Sequence, residues 1–157
     1  MRVATERTQL AVAAWAALLR VHATLIPRLD RTLRQTAGLP LSSYDVLLEL
    51  TAAPGRRLTM GELGERVVLS RTRVSRIVDE LVRAGLVIRE GNPDDGRSAF
   101  AVLSADGLAR YRAAAAAYIA GIEREFAATL RDEELKSVAD ALRKIIDWSV
   151  PLPMPRR

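Results

Sequence analysis

Between Thr59 and Leu103 the pattern passes from a short helix to a longer one and then to two strand-like runs, with very little chain between them. Thr59-Met60-Gly61-Glu62 is a Thr-x-x-Glu capping box that opens a helix to about Val67. Val68-Leu69 leaves room only for a tight connection. Ser70 then reads as the cap of a second helix running to about Ala84, with Gly85 as its stop. Leu86–Glu90 and Ala99–Leu103 are strand-like, and the cluster Gly91–Gly96 between them is rich in turn formers. The expected unit is two helices about a tight turn, followed by a hairpin with a long tip.

The flanks read as helix. Residues 6–36 place Trp15, Leu18, His22, Leu25, Ile26, Leu29 and Leu33 along one side at the helical period. Pro27 should kink this helix near residues 23–26, and Gly38 with Pro40 should end it. Ser42 reads as the N-cap of a helix closing at Ala53-Pro54-Gly55, with Asp45 three residues on. Arg56–Leu58 reads as briefly extended. After the hairpin, Ser104-Ala105-Asp106 opens an Ala-rich helix expected over about 105–130, and Asp132 opens another ending near Trp148. The fold class expected is mainly α with a small β-hairpin wing: a winged helix-turn-helix lobe over 42–103, with long helices over 6–36 and 105–148. Apolar residues make up 49% of the chain and aromatics only 4%, so the core must be aliphatic.

The longer helix of the pair carries the chemistry. From Val74 as reference, Ile77, Val78 and Leu81 fall within about 60° at the helical period and face a core. Thr72, Arg76 and Arg83 point roughly opposite, with Arg73 and Ser75 beside them. From Arg66 to Arg89 six Arg stand against Asp79 and Glu80, six less two, a local net of +4. Arg can span guanine O6 and N7, Ser and Thr can meet base edges or phosphates, and a helix N-terminus favours phosphate. Ser70, Arg71, Thr72, Arg73, Ser75 and Arg76 are therefore the expected contacts to double-stranded DNA. A solvated amphipathic helix fits these residues as well, and a solvated turn fits Asp94, Asp95 and Gly96. The formal net charge of +5 is compatible with a polyanion without requiring one.

Other classes find little support. There is no Cys, one His, no Gly-rich phosphate loop and no Gly-x-Ser-x-Gly. No catalytic residue, metal or cofactor is expected, and the expectation is that the chain is not an enzyme. The run Leu10–Leu19 has Glu6 before it and no small-x-small site after it, so a signal peptide is not expected. That run is also too short to span a bilayer. A cytoplasmic location without membrane contact follows as the expectation.

The stretch Val74-Ser75-Arg76-Ile77-Val78-Asp79-Glu80-Leu81, then Gly85-Leu86-Val87-Ile88-Arg89, Asp95-Gly96-Arg97 and Leu103-Ser104-Ala105-Asp106-Gly107 resembles the signature of MarR (multiple antibiotic resistance regulator) transcriptional regulators. The Asp-x-Arg of the wing is its sharpest element and the Leu-Ser-x-x-Gly the second. Gly64 stands where that family more often has Ala, and Ser104 where it usually has Thr. The resemblance implies that Arg97 enters a minor groove with Asp95 orienting it, and that the outer helices form a homodimer. The exposed apolar surface those helices would leave in a monomer points the same way. The resemblance also implies a repressor released by a small aromatic or phenolic effector bound between the first helix and the dimer helices. Trp15, His22 and Arg110 could line such a pocket, with Arg110 attracting an anion, while a lone His on an apolar stripe fits a packed core or interface residue as well.

Overall fold

The computed structural model describes residues 5–67, 71–93, 95 and 98–149, without the side chains of Arg71 and Ser149. The chain divides into two compact units, Met1–Gly121 and Ile122–Arg157.

In the first unit, α1 runs Glu6–Ala37, with Thr5 as N-cap. It continues through Pro27 without a break, and Gly38 ends it in the left-handed conformation that glycine adopts readily, φ 60°. α2 spans Leu41–Ala52. Its expected cap is wrong: Pro40 occupies the N-cap position and Ser42 lies inside the helix. The orphan amide of Leu41 donates instead to Asp30 Oδ1 of α1, at 2.8 Å. A carboxylate from a packed helix thus replaces the local hydroxyl. A 3-10 turn, Pro54–Arg56, leads into β1, Arg57–Thr59.

α3, Met60–Arg66, opens with the expected capping box: the Glu62 amide donates to Thr59 Oγ1 at 3.2 Å, and the Thr59 amide donates to Glu62 Oε2 at 2.8 Å. α4 covers Arg71–Arg83, and β2 and β3 cover Val87–Gly91 and Ala99–Leu103. The hairpin is one edge of a larger sheet than expected. β1 pairs antiparallel with β3, Leu58 opposite Ala101, and gives the order β1-β3-β2. Arg57 lies over the Phe100 ring at 4.7 Å, a cation–π contact across this added pair. The core lies under the sheet and between helices: Leu33, Val46, Leu47, Leu50, Leu63, Val74, Val78 and Val87 are fully buried.

α5 covers Ala105–Ile122, and a π-helical turn directly after it carries helical backbone to Ala127, close to the expected end near residue 130. The start of α5 explains the Leu-Ser-x-x-Gly element. Ser104 Oγ accepts from the Gly107 amide at 2.9 Å and donates to the Gly85 carbonyl at 2.7 Å, so one hydroxyl caps α5 and holds the chain just beyond α4. A Cβ at Gly107 would fall onto the Leu86 carbonyl oxygen, so only glycine fits.

α1 has two halves. Leu29 and Leu33 are buried, whereas Leu10, Val12, Trp15, Leu18, Leu19 and Val21 are exposed. Among the described residues α1 alone is long and apolar enough to cross a membrane, and none of its most apolar stretch is buried within the chain. The Leu10–Leu19 run is therefore part of a longer apolar surface than its sequence suggests.

The second unit holds a π-helical turn, Glu123–Ala127, and α6, Asp132–Ser149. Glu134 reaches back to the Arg131 amide at 2.9 Å and its carboxyl is held below the usual range by Arg131. Val138, Ile145, Ile146 and Trp148 are exposed.

Candidate nucleic-acid interface

α4 sorts its side chains as its period requires. Val74, Ile77, Val78 and Leu81 are buried, and Thr72, Arg73 and Arg76 are exposed. Ser75 is half-buried at the flank. The expected contacts Thr72, Arg73, Ser75 and Arg76 thus share one outward surface over the first two turns of the helix. Ser70, the Arg71 side chain and the wing Arg97 lie outside the described residues. Asp95 is exposed at the hairpin tip, where its amide donates to the Asn92 carbonyl at 3.3 Å and its carbonyl accepts from Ser98 at 2.9 Å.

The hairpin is bound to this surface. Arg89 of β2 pairs with Asp79 of α4, Nη2 to Oδ1 2.8 Å, and donates to Ser75 Oγ at 3.4 Å. From sequence, Arg89 counts as positive charge and as the last residue of the Gly85–Arg89 stretch, with no partner assigned to it. Its spacing of ten positions from Asp79, across the Gly85 stop, is the signal available there.

A cleft of about 590 Å³ lies between α1 and α2, with Arg73 of α4 at its edge and His22, Ile26, Pro27 and Asp45 among its lining residues. Of the three residues expected to form an effector pocket, His22 alone lines it. Trp15 is 60% exposed further along α1. Arg110 Nη1 donates to the Ala37 carbonyl at 2.7 Å, so its charge sits on the C-terminal end of α1, where a cation is favoured. The structure therefore does not bring the three together.

Two carboxylates of the cleft differ. Burial works against the charge of Asp30, but the Arg34 hydrogen bond, the Leu41 amide and the Arg34 charge outweigh it and hold its carboxyl low. Asp45 is pushed up to about 6 by burial and then by Glu49. Beside it Tyr44 stacks on Tyr111, ring centroids 5.3 Å apart, and meets Tyr118 at 4.8 Å. Burial, then Asp45, raises the Tyr118 hydroxyl. Tyr111 and Tyr118 are seven positions apart, two turns of one helix face, a spacing that could have revealed the cluster. Among the described residues no group of three or more His, Asp or Glu could hold a metal.

The same fold is present in known proteins. A MarR family transcriptional regulator from Streptomyces coelicolor, solved in complex with DNA, is 30% identical with a TM-score of 0.83, over 100% of this chain and 97% of its own. The chain belongs to the MarR family. The model of that family matches residues 37–98, from the end of α1 through the hairpin tip. AbsC, a MarR family transcriptional regulator also from Streptomyces coelicolor, is 31% identical with a TM-score of 0.79, over 94% of this chain and 97% of its own. An organohalide-sensing transcriptional regulator, solved in its 2,4-dichlorophenol bound form, shares the fold at 20% identity and a TM-score of 0.78, over 100% of this chain and 99% of its own. No curated protein matches the chain. This MarR family member is thus a transcriptional regulator with a winged helix fold, mostly helical and with a small antiparallel sheet.

Proposed function

We propose that the chain acts as a homodimeric repressor that places α4 of each copy in a major groove of a pseudo-palindromic operator. The observation that carries the reading is the outward face of α4, where Thr72, Arg73 and Arg76 stand exposed over a fully packed opposite side. Arg76 lies at the middle of that face and is assigned the base contact; Ser70, Arg71, Thr72, Arg73 and Ser75 are assigned to phosphates and flanking base edges. Arg97, oriented by Asp95, is assigned to the minor groove, whose narrow stretches attract Arg. The DNA-bound relative supports this use of the fold.

A second copy supplies what α1 lacks. Exposed apolar side chains along its N-terminal half form a surface that a symmetric partner would cover, and a two-fold protein fits a two-fold site. The lobe over 42–103 then reads DNA while the helices over 6–36 and 105–148 pair. A small aromatic or phenolic effector in the cleft beside His22 would act on DNA binding through Arg73, which belongs to both the cleft wall and the reading face. An anionic effector would meet Arg73 rather than Arg110.

The test begins with selection of an operator from a pool of random duplexes, followed by fluorescence anisotropy on that operator and on a scrambled duplex. Arg76→Ala should weaken operator binding by about 1–3 kcal/mol and scrambled binding by less. Arg97→Ala should weaken both more evenly and flatten the salt slope by about 0.9 for each phosphate that is no longer neutralised. The reverse pattern would exchange the two roles, and no enrichment of any duplex would end the DNA-reading proposal. Light scattering should give about twice the 17.2 kDa chain mass.

A further inference from the structure

Ser75 and Asp79 lie one turn apart on α4, at about 100° and 140° from Val74, and the outward Thr72, Arg83 and Arg76 follow at about 160–200°. Asp79 is therefore a carboxylate placed among the hydroxyls and cations of the reading face, with its side chain 54% exposed. A lone negative charge there would repel phosphate. The guanidinium of Arg89 meets it at 2.8 Å and reaches Ser75 in the same grip. Arg89 belongs to β2, the strand that leads into the hairpin tip carrying Asp95. One side chain thus touches two successive turns of the helix from the first strand of the wing.

We propose that Arg89 is a positioning residue for DNA recognition: it neutralises Asp79 on the reading face and sets the wing at a fixed angle to α4. The inference rests on the reading that this face of α4 meets DNA. An ion pair this exposed adds little to folding stability, so removing it should leave the fold intact and an effect on DNA binding can be read apart from unfolding. Removing Arg89 has two consequences. Asp79 regains its repulsion toward phosphate, which lowers affinity for any duplex. The wing and helix also lose their common register, which lowers affinity more on the operator, where both must fit at once. Arg89 itself touches no DNA, so the number of phosphates neutralised is unchanged.

The experiment uses the full chain, with Arg89→Met, Asp79→Asn and the double variant, on the selected operator and the scrambled duplex across a range of salt. Methionine keeps the apolar stem and removes the charge. Arg89→Met should weaken operator binding about tenfold and scrambled binding less, with the slope of log affinity against log salt unchanged. Asp79→Asn alone should change affinity by no more than about threefold, because Arg89 keeps its bond to Ser75 and can still donate to the Asn carbonyl oxygen. Adding it to Arg89→Met should restore scrambled binding, because the exposed carboxylate is gone, while leaving part of the operator defect, because the brace is still absent. Melting temperatures follow each variant. A slope reduced by about 0.9 with no rescue by Asp79→Asn would make Arg89 a phosphate ligand and overturn the proposal. So would unchanged affinity, or an affinity loss that tracks a fall in melting temperature and is not rescued. A duplex pool that yields no operator would defeat the DNA reading itself, whatever Arg89 does.

Discussion

α4 is dense in charge, yet Val74, Ile77, Val78 and Leu81 are all buried. α1 carries far more apolar residues, yet Leu10, Val12, Trp15 and Leu19 are 50–65% exposed. The difference lies in arrangement. The apolar residues of α4 fall within one narrow fan, which the sheet and neighbouring helices cover completely. Those of α1 spread around more than half the helix circumference, from about 0° for Leu10 to about 200° for Val12 at the helical period. No single neighbour within the chain could cover so wide a surface. α4 is thus finished by its own chain, whereas α1 is finished only over its C-terminal half, at Leu29 and Leu33.

The strongest way to break this comparison is at the seam of the finished region. Gly107→Ala drives a methyl into the Leu86 carbonyl, which is backbone and cannot swing aside. It should destabilise the chain by about 4 kcal/mol or more, read as a shift of the denaturation midpoint. A change below about 1 kcal/mol would show that the lobe yields where it is described as rigid.

The same substitution at two leucines sharpens the contrast. Leu81→Ala, at a side chain 3% exposed, should cost about 2–5 kcal/mol of folding stability. Leu19→Ala, at 50% exposure, should leave unfolding of dilute protein within about 0.5 kcal/mol. It should weaken self-association about tenfold in sedimentation equilibrium. Equal losses of stability at the two positions would erase the distinction between the helices.

The smallest effect is expected where α1, α2 and α4 meet at the cleft. The Asp45 carboxyl titrates near 6 in the fold, against an ordinary 3.8. A raised folded-state value means that the fold prefers the protonated acid. That preference is complete below 3.8 and is lost as pH rises through about 6. Asp45→Asn, which keeps the neutral form, should be neutral near pH 3.5. At pH 7.5 it should stabilise by on the order of 1 kcal/mol, a value discounted for the solvent still reaching the group. Thermal unfolding of both proteins at the two pH values checks the sign, and a larger gain at the acidic end would refute it.

Local signals are legible in the sequence and distant ones are not. The capping box at Thr59, β3 over Ala99–Leu103 and the stop at Gly38 each announce themselves within a few residues, and the structure has them all. The cap of α2 is misassigned to Ser42 from sequence because its true partner, Asp30, lies eleven positions away on another helix. β1 spans only three residues, too few to show alternation, so its pairing with β3 escapes a reading of the sequence. The change from α to π winding after Ile122 leaves no mark in the sequence, where no Gly or Pro follows Gly121 before residue 130. The outward set on α4 is readable from period alone, because a helix with one packed side leaves its other side determined. The effector trio is not, since only tertiary structure reveals that Arg110 is occupied at the end of α1.

That bond has a consequence for the order in which the chain assembles. Arg110 and the Ala37 carbonyl it caps are separated by 73 positions, with α2, the sheet and both helices of the reading unit between them. Closing so long a loop early carries a large entropic penalty, whereas the hairpin and the α3–α4 turn close over short distances. In a chain synthesised from its N-terminus, Arg110 also emerges after every residue of the unit it fastens. The corner at Gly38 is therefore expected to lock last, once the reading unit is already in place. The bond then acts as a latch on a completed assembly and takes no part in its nucleus.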